Sequence, residues 1–229
     1  MVEIVLASNN KKKITELQGL LDETLGGEVK VLSLSDIGFF DDIEEFGETF
    51  EENSLIKASV PARLGYIGIA DDSGLCVDAL NGAPGIYSAR YADDEGPADD
   101  RDAANRAKLL REMAEVPHDE RGGGFVCVAS MVLPENSEYA IPQGYLACPA
   151  YAVKAGADPL RAATVRGECR GRILTEEKGS GGFGFDSLFY SDEIDKAFAE
   201  ATPAEKNSVS HRGRAMREFA RLVKEVIKG

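Results

Sequence analysis

The sequence predicts an α/β protein with a mixed central sheet flanked by helices. Three observations carry this expectation. Short apolar runs of strand length alternate with segments whose apolar residues recur at helical spacing, the pattern of helices packed on a sheet. The first strand, polar turn and helix are already complete within residues 2–21. No composition break, fixed-period repeat or low-complexity segment divides the 229 residues. A single domain over residues 1–229 is therefore expected, folded as two lobes around a cleft.

Residues 2–7 are apolar except for Glu3 and read as a buried strand. Ser8-Asn-Asn-Lys-Lys-Lys13 follows, with Ile14, Leu17, Leu20 and Leu21 at helical spacing. Ser8 or Asn9 is the expected cap, and Gly26-Gly27 lies beyond the helix end. Three lysines at a helix start oppose its dipole, a conflict that a bound polyanion would relieve. Taken alone, the stretch fits a solvated basic turn equally well, and it lacks the G-x-x-x-x-G-K-[ST] phosphate-loop pattern. Residues 29–34 read as a second strand and 41–48 as an acidic loop. Thr49-Phe-Glu-Glu52 has capping-box spacing and opens a helix through Leu64. Asn53 and Lys57 share a face of that helix, and Pro61 predicts a kink or an early end. Residues 66–70 read as a buried strand ending in an acidic turn, Asp71-Asp-Ser-Gly74.

Residues 98–115 form the next helix, with Pro117 past its end. Gly122-Gly-Gly124 leads into an apolar strand at 125–133. Residues 134–163 carry four prolines and no periodicity, and read as an extended insertion outside the core. A strand at 164–174, a glycine-rich loop at 179–186 and a short strand at 187–190 follow. Thr202-Pro-Ala-Glu205 is a second capping box with Pro at the first helical position. Ser210 then caps a last helix, whose apolar face includes Ala215, Phe219, Leu222, Val223 and Val226. His211 and Arg212 fall in its first turn, again suited to an anion.

With 26 basic and 40 acidic residues the net charge is −14. That argues against non-specific binding of nucleic acid or an anionic membrane. An anionic ligand must instead meet a local basic cluster or a metal ion. Cys76, Cys127, Cys148 and Cys169 form no C-x-x-C pair, so no zinc or redox motif is indicated. No secretory signal and no apolar stretch of about 18 residues is found, so a reduced cytoplasm is the default expectation.

The chemistry centres on Asp71 and Asp72. Adjacent strand residues face opposite sides, so one carboxylate can face a cleft. Such a group suits a hard cation such as Mg²⁺, or a general base. Asp-Asp-Ser-Gly alone also fits an ordinary acidic turn. The downstream Asn81-Gly-Ala-Pro-Gly85 fixes an unusual backbone path. Separated segments supply the pieces of a triphosphate site. Lys13, Lys57, Lys206 and Arg212 can neutralise phosphates. Asp72 with one of Glu44, Glu45 or Glu48 can hold Mg²⁺. Phe183 and Phe185 offer ring faces to a base, whose edge Asp186 and His211 can read.

In order along the chain, Ser8-Asn-Asn-Lys-Lys-Lys13, Thr49-Phe-Glu-Glu-Asn-Ser-Leu-Ile-Lys-Ala58, Ala70-Asp-Asp-Ser-Gly74, Gly82-Ala-Pro-Gly-Ile-Tyr-Ser-Ala-Arg-Tyr91, Gly181-Gly-Phe-Gly-Phe-Asp186, Glu205-Lys206 and Ser210-His-Arg-Gly213 resemble the Ham1-like inosine triphosphate pyrophosphatase family. The resemblance implies an ITPase-like fold and a homodimer. It implies Mg²⁺-dependent hydrolysis of ITP, dITP and XTP to the monophosphate and pyrophosphate, clearing deaminated purines from the nucleotide pool. Carried over by position, Ser8, Asn9, Asn10, Lys11, Lys12 and Lys13 bind triphosphate. Glu45 and Asp72 hold metal, with Asp72 the proton acceptor and Lys57 its catalytic neighbour. Ser73, Phe183, Gly184, Phe185, Asp186, Lys206, His211 and Arg212 contact substrate. Phe185 stands where many members have Tyr, and residues 134–163 exceed the usual connection. Near Mg²⁺ and lysines the Asp72 pKa is expected to be low, which favours water positioning over proton abstraction. The alternatives are a broad nucleotide pyrophosphatase and a nucleotide-binding sensor that does not hydrolyse.

Overall fold

The computed structural model describes residues 1–229. Seven strands form one sheet in the order β2-β1-β3-β4-β5-β6-β7. They are β1 (Val2–Leu6), β2 (Val29–Leu32), β3 (Ile67–Val77), β4 (Gly122–Val132), β5 (Ala162–Ile173), β6 (Phe189–Ser191) and β7 (Lys196–Ala197). Pairing is parallel between β1 and both β2 and β3, and antiparallel along β5, β6 and β7, so the sheet is mixed as expected. The helices are α1 (Lys11–Leu25), α2 (Phe50–Arg63), α3 (Arg101–Glu112), α4 (Pro149–Lys154), α5 (Pro203–Val209) and α6 (His211–Lys228). None is long and apolar enough to cross a membrane.

The chain divides into two compact units. The first comprises residues 1–72, 128–166 and 215–229, the second residues 73–127 and 167–214. In the first, α1 buries Leu17, Leu21 and Leu25 with Ile4, Ile69 and Val223 of α6 in one apolar core. The cap of α1 is Asn10, not Ser8 or Asn9 as expected: its side-chain oxygen accepts the N–H groups of Lys12 and Lys13. Ser8 instead accepts the Asn10 N–H, and Asn9 accepts that of Ser35. Gly26, in the left-handed conformation, closes the helix. Helix α2 begins at the Thr49 cap and runs to Arg63 with Pro61 inside its last turn, so the proline brings no early end. Its fit on β3 depends on Gly68, where a Cβ would lie 2.0 Å from the Ala58 carbonyl oxygen.

Two expectations are corrected here. Strand β3 does not stop at Ala70. It runs through Asp71-Asp-Ser-Gly74 to Val77, because Leu75 and Val77 bury again with the strand period and carry the ladder past the polar residues. Residues 134–163 do not lie outside the core: Ile141, Ala147, Ala152 and Ala155 are buried, and α4 packs its alanines with Leu55 and Ile56 of α2. The apolar residues there are small and irregularly spaced, so the sequence pattern hid them.

In the second unit, Leu75, Leu109, Met113, Phe125, Phe189 and Phe198 share a core. The buried Arg121 donates to the carbonyls of Met113, Val116, Ile173 and Leu174, which ties the end of α3 to β5. The Ala83–Pro84 peptide is cis, and Asn81, Gly82 and Gly85 have positive φ, the unusual path expected there.

Candidate active site

Strand alternation separates the two adjacent aspartates. Asp71 receives Lys13 on both carboxylate oxygens, at 3.0 and 2.9 Å. Asp72 faces the other way and takes Lys57 Nζ on Oδ1 at 3.0 Å. The same ammonium lies 2.9 Å from Glu45 Oε1. Lys57 thus sits between two carboxylates, and the trio carries one net negative charge. The second Asp72 oxygen, Oδ2, is buried and has no hydrogen-bond partner. Leaving a buried carboxylate oxygen unpaired is costly, so this atom is the position that a cation or a proton would complete.

The electrostatics follow from burial. Desolvation pushes the Asp72 carboxyl above its ordinary value against the pull of Lys57, and Glu45 and Asp71 push the same way. The low Asp72 pKa expected from the sequence does not arise from the protein groups alone. Burial opposes the Lys57 charge as well, but Asp72 and Glu45 outweigh it and hold the ammonium above its usual range.

Helix α2 also sets the acidic loop that carries Glu45. Asn53 Oδ1 accepts the Gly47 N–H at 2.8 Å, and Glu52 accepts the Glu48 N–H at 2.6 Å. So Asn53 and Lys57, one turn apart, both grip that loop. The sequence reads Glu52 as the N3 half of a capping box, but its carboxylate takes the Glu48 N–H and Lys154 instead, and Lys154, a lone lysine, gives no signal beyond surface charge. Lys154 of α4 binds Glu52 at 2.8 Å and Glu48 at 3.1 Å. Of the three candidate metal-holding glutamates, Glu48 is turned to Lys154, Glu44 is exposed, and Glu45 shares Lys57 with Asp72.

The basic turn is arranged differently from the phosphate site expected. Asn10 occupies the N–H groups of Lys12 and Lys13, and Lys13 is held by Asp71. Lys11 and Lys12 are exposed. Ser73, next after Asp72, is exposed on β3 and begins the second unit.

Within the second unit the glycine-rich loop turns through Gly179, Gly182 and Gly184, all with positive φ. At Gly182 a Cβ would meet Asp186 Oδ2 at 2.1 Å, so only glycine permits the turn. Asp186 Oδ2 accepts the Phe183 N–H at 2.9 Å and the ammonium of Lys206. Through Oδ2 that carboxylate closes the loop. Lys206 is delivered by α5, whose Thr202–Glu205 capping box forms as predicted. Its ammonium lies 4.8 Å from the centre of the Phe183 ring.

The two phenylalanines part company. Phe183 is 75% exposed, whereas Phe185 is 3% exposed and packs edge-to-face on Tyr91. Phe185 therefore offers no ring face to a base: the alternation of the loop turns it into the core. His211 stacks on Phe125 with ring centres 4.7 Å apart. Arg212 follows it, half-buried, at the start of α6, where Ser210 Oγ accepts the Gly213 N–H as the expected cap. Gly184 is held from α3, its N–H by Asp102 and its carbonyl by Arg106. The sequence gives only an acid and a base four apart on a helix, which reads as a surface ion pair.

The fold is a mixed α/β sheet, with a lysine shared by two carboxylates in the first unit and a glycine-rich loop presenting one exposed aromatic in the second. The chain matches the Ham1 family over residues 4–222 and belongs to it. It is 40% identical over 230 residues to a dITP/XTP pyrophosphatase of Bacillus cereus, covering 100% of this chain and 98% of the relative. It is 42% identical over 217 residues to a dITP/XTP pyrophosphatase of Geobacter sulfurreducens, covering 94% of each. Among solved structures, a HAM1 protein from Coxiella burnetii superposes with a TM-score of 0.79 at 34% identity, covering 98% of this chain and 100% of that one.

Proposed function

We propose that this chain hydrolyses non-canonical purine nucleoside triphosphates, ITP, dITP and XTP, to the monophosphate and pyrophosphate. The observation that carries the reading is the buried, partnerless Oδ2 of Asp72 beside Glu45 and Lys57. Belonging to the Ham1 family, with relatives named dITP/XTP pyrophosphatase, supports the substrate class.

The residues fit a divalent cation. No group of three or more carboxylates, imidazoles and thiols is gathered here. Mg²⁺ commonly takes only one or two protein carboxylates and fills its shell with phosphate oxygens and water. Glu45 and Asp72 would hold it, and when bound it would draw charge from the phosphate oxygens of the leaving pyrophosphate. Lys57 keeps the two carboxylates together, and offers its charge to a phosphate as substrate arrives. Asp72 orients the water that attacks the α-phosphorus. The exposed Phe183 ring would carry the base, with Lys206 beside it, and Arg212 would donate to O6 of hypoxanthine or xanthine. Adenine presents an amino donor at that position, so a fixed donor rejects it. The chain would act as a homodimer in the cytoplasm.

Pyrophosphate release measured with ITP, dITP, XTP, ATP and GTP, with and without Mg²⁺, tests the proposal. Turnover of ITP and XTP should exceed that of ATP by about 100-fold in kcat/KM, the scale of a mismatched hydrogen-bonding edge, and that of GTP, which shares O6, by the refusal of its 2-amino group. Equal turnover of ordinary triphosphates would make it a broad pyrophosphatase. Binding without release would make it a sensor.

A further inference from the structure

We propose that Asp102 and Arg106 of α3 are positioning residues for base selection, acting by clamping Gly184 so that the Phe183 ring is presented in one orientation. The inference rests on the nucleotide reading above and adds residues on a different element.

Phe183 has little of its own to fix it. Its side chain is 75% exposed, and the group over its ring is a lysine ammonium 4.8 Å from the centre. The ring direction must therefore come from the backbone on either side, and that backbone is unusually constrained. The Phe183 N–H is held by Asp186 at 2.9 Å. The Gly184 N–H donates to Asp102 Oδ2 at 2.7 Å, and the Gly184 carbonyl accepts from Arg106 Nη1 at 3.1 Å. The side chain of Phe185 is then buried against Tyr91.

The clamp comes from one helix. Asp102 and Arg106 are four apart, hence on one face of α3, and they hold the two polar groups of a single loop residue. Asp102 stands in the first turn, where its charge also suits the helix dipole. Arg106 Nε lies 2.8 Å from Glu177 as an ion pair without hydrogen-bond geometry, and Glu177 also accepts the Ser187 hydroxyl at 2.7 Å. Glu177 and Ser187 flank the loop on its two sides, so Arg106 fastens the loop at its base and at its tip. Gly184 has φ +59°, a conformation open to many alternatives without these bonds. A loop that must be ordered at the moment of binding weakens affinity, whereas a pre-ordered loop does not. The clamp touches no reacting group, so its removal should act on base recognition and not on the chemical step.

The test is a set of four variants, Asp102→Ala, Asp102→Asn, Arg106→Ala and Arg106→Lys, each checked for folding by its urea midpoint. Asp102→Ala and Arg106→Ala should raise KM for ITP about tenfold, the scale of one hydrogen bond to a charged group, with kcat held within about twofold. The ratio of ITP to GTP turnover should narrow in both. Asp102→Asn retains an acceptor and should recover most of the KM. Amide exchange at Gly184 should quicken in Asp102→Ala. Unchanged KM and selectivity in folded Asp102→Ala and Arg106→Ala would overturn the inference, even with faster exchange. So would equal losses in kcat and KM that Asp102→Asn does not recover. A wild-type chain that turns over no purine triphosphate would refute the nucleotide reading itself. That result is distinguishable, because failure of the clamp alone leaves wild-type turnover intact.

Discussion

Lys57 with Asp72 and Lys206 with Asp186 are the same two side chains in contact, one pair in each unit, yet their surroundings differ. Lys57 and Asp72 are each 13% exposed and share their site with a second carboxylate, Glu45. One Asp72 oxygen has no partner. Asp186 is buried more deeply, at 4%, but its Oδ2 also accepts the Phe183 N–H within its own loop. In the first pair two carboxylates share one lysine, and one buried oxygen accepts no hydrogen bond. In the second the aspartate is spent on backbone geometry, and only the lysine remains turned to an exposed ring. A lysine–aspartate contact is thus no guide to role until the other oxygen and the neighbouring charges are counted.

The comparison can be broken by substitution. Asp72→Asn keeps the shape and removes the charge, and should lower kcat by about 10³-fold, the range for losing one preorganised electrostatic group. Asp71→Asn, which loosens the Lys13 pair on the other face, should do far less in the same pyrophosphate-release assay. If Asp71→Asn is the more damaging, the two faces of β3 have been assigned the wrong way round.

Lys57→Ala leaves Glu45 and Asp72 facing one another without a counter-charge. We expect a loss of about 3 kcal/mol in stability, as for one partner removed from a buried pair. Added Mg²⁺ should raise the melting temperature of this variant more than that of the wild type, since the ion replaces the missing charge. An equal shift in both would argue against Glu45 and Asp72 as the cation site.

The phenylalanines sharpen the contrast within the second unit. Phe185→Ala should cost about 3–5 kcal/mol by denaturant midpoint, as a buried ring replaced by a cavity. Phe183→Ala should leave that midpoint nearly unchanged and raise KM about tenfold, the weight of one stacked base. A reversed pattern would relocate the base.

The smallest effect is expected at Lys154→Ala. Its partly exposed pair with Glu52 should be worth under about 1 kcal/mol, with a modest rise in the Mg²⁺ concentration needed for half-maximal activity as the Glu45 loop loosens. No change in that concentration would show that Asn53, Glu52 and Lys57 hold the loop without Lys154.

The legible parts of the sequence were those governed by local rules. The Thr49 and Thr202 caps and the opposite facing of Asp71 and Asp72 follow from hydrogen bonding and strand alternation alone. The errors arose where distant packing decides. Strand β3 continues past two carboxylates because lysines from α1 and α2 neutralise them, which no window of local sequence contains. Phe185 was paired with Phe183 by spacing, but the core around Tyr91 and Leu188 claims it. The burial of α4 rests on alanines, whose small side chains give a weak hydrophobic signal. Asp102 and Arg106 carry no motif, since what they bind is backbone.

The way the chain is apportioned between its units has a consequence for biosynthesis. The passages from one unit to the other fall inside β3, β4, β5 and α6, and the first unit is assembled from residues 1–72, 128–166 and 215–229. Its core joins Ile4 and Leu21 to Phe219, Leu222 and Val226. A nascent chain therefore cannot complete that core until α6 has left the ribosome. Until then β1 and α1 hold their apolar faces open to water and to other chains. Premature termination between residues 73 and 214 leaves the Glu45–Lys57–Asp72 cluster translated in full but without the core that supports it, so such fragments should be substrates for proteolysis rather than impaired enzymes.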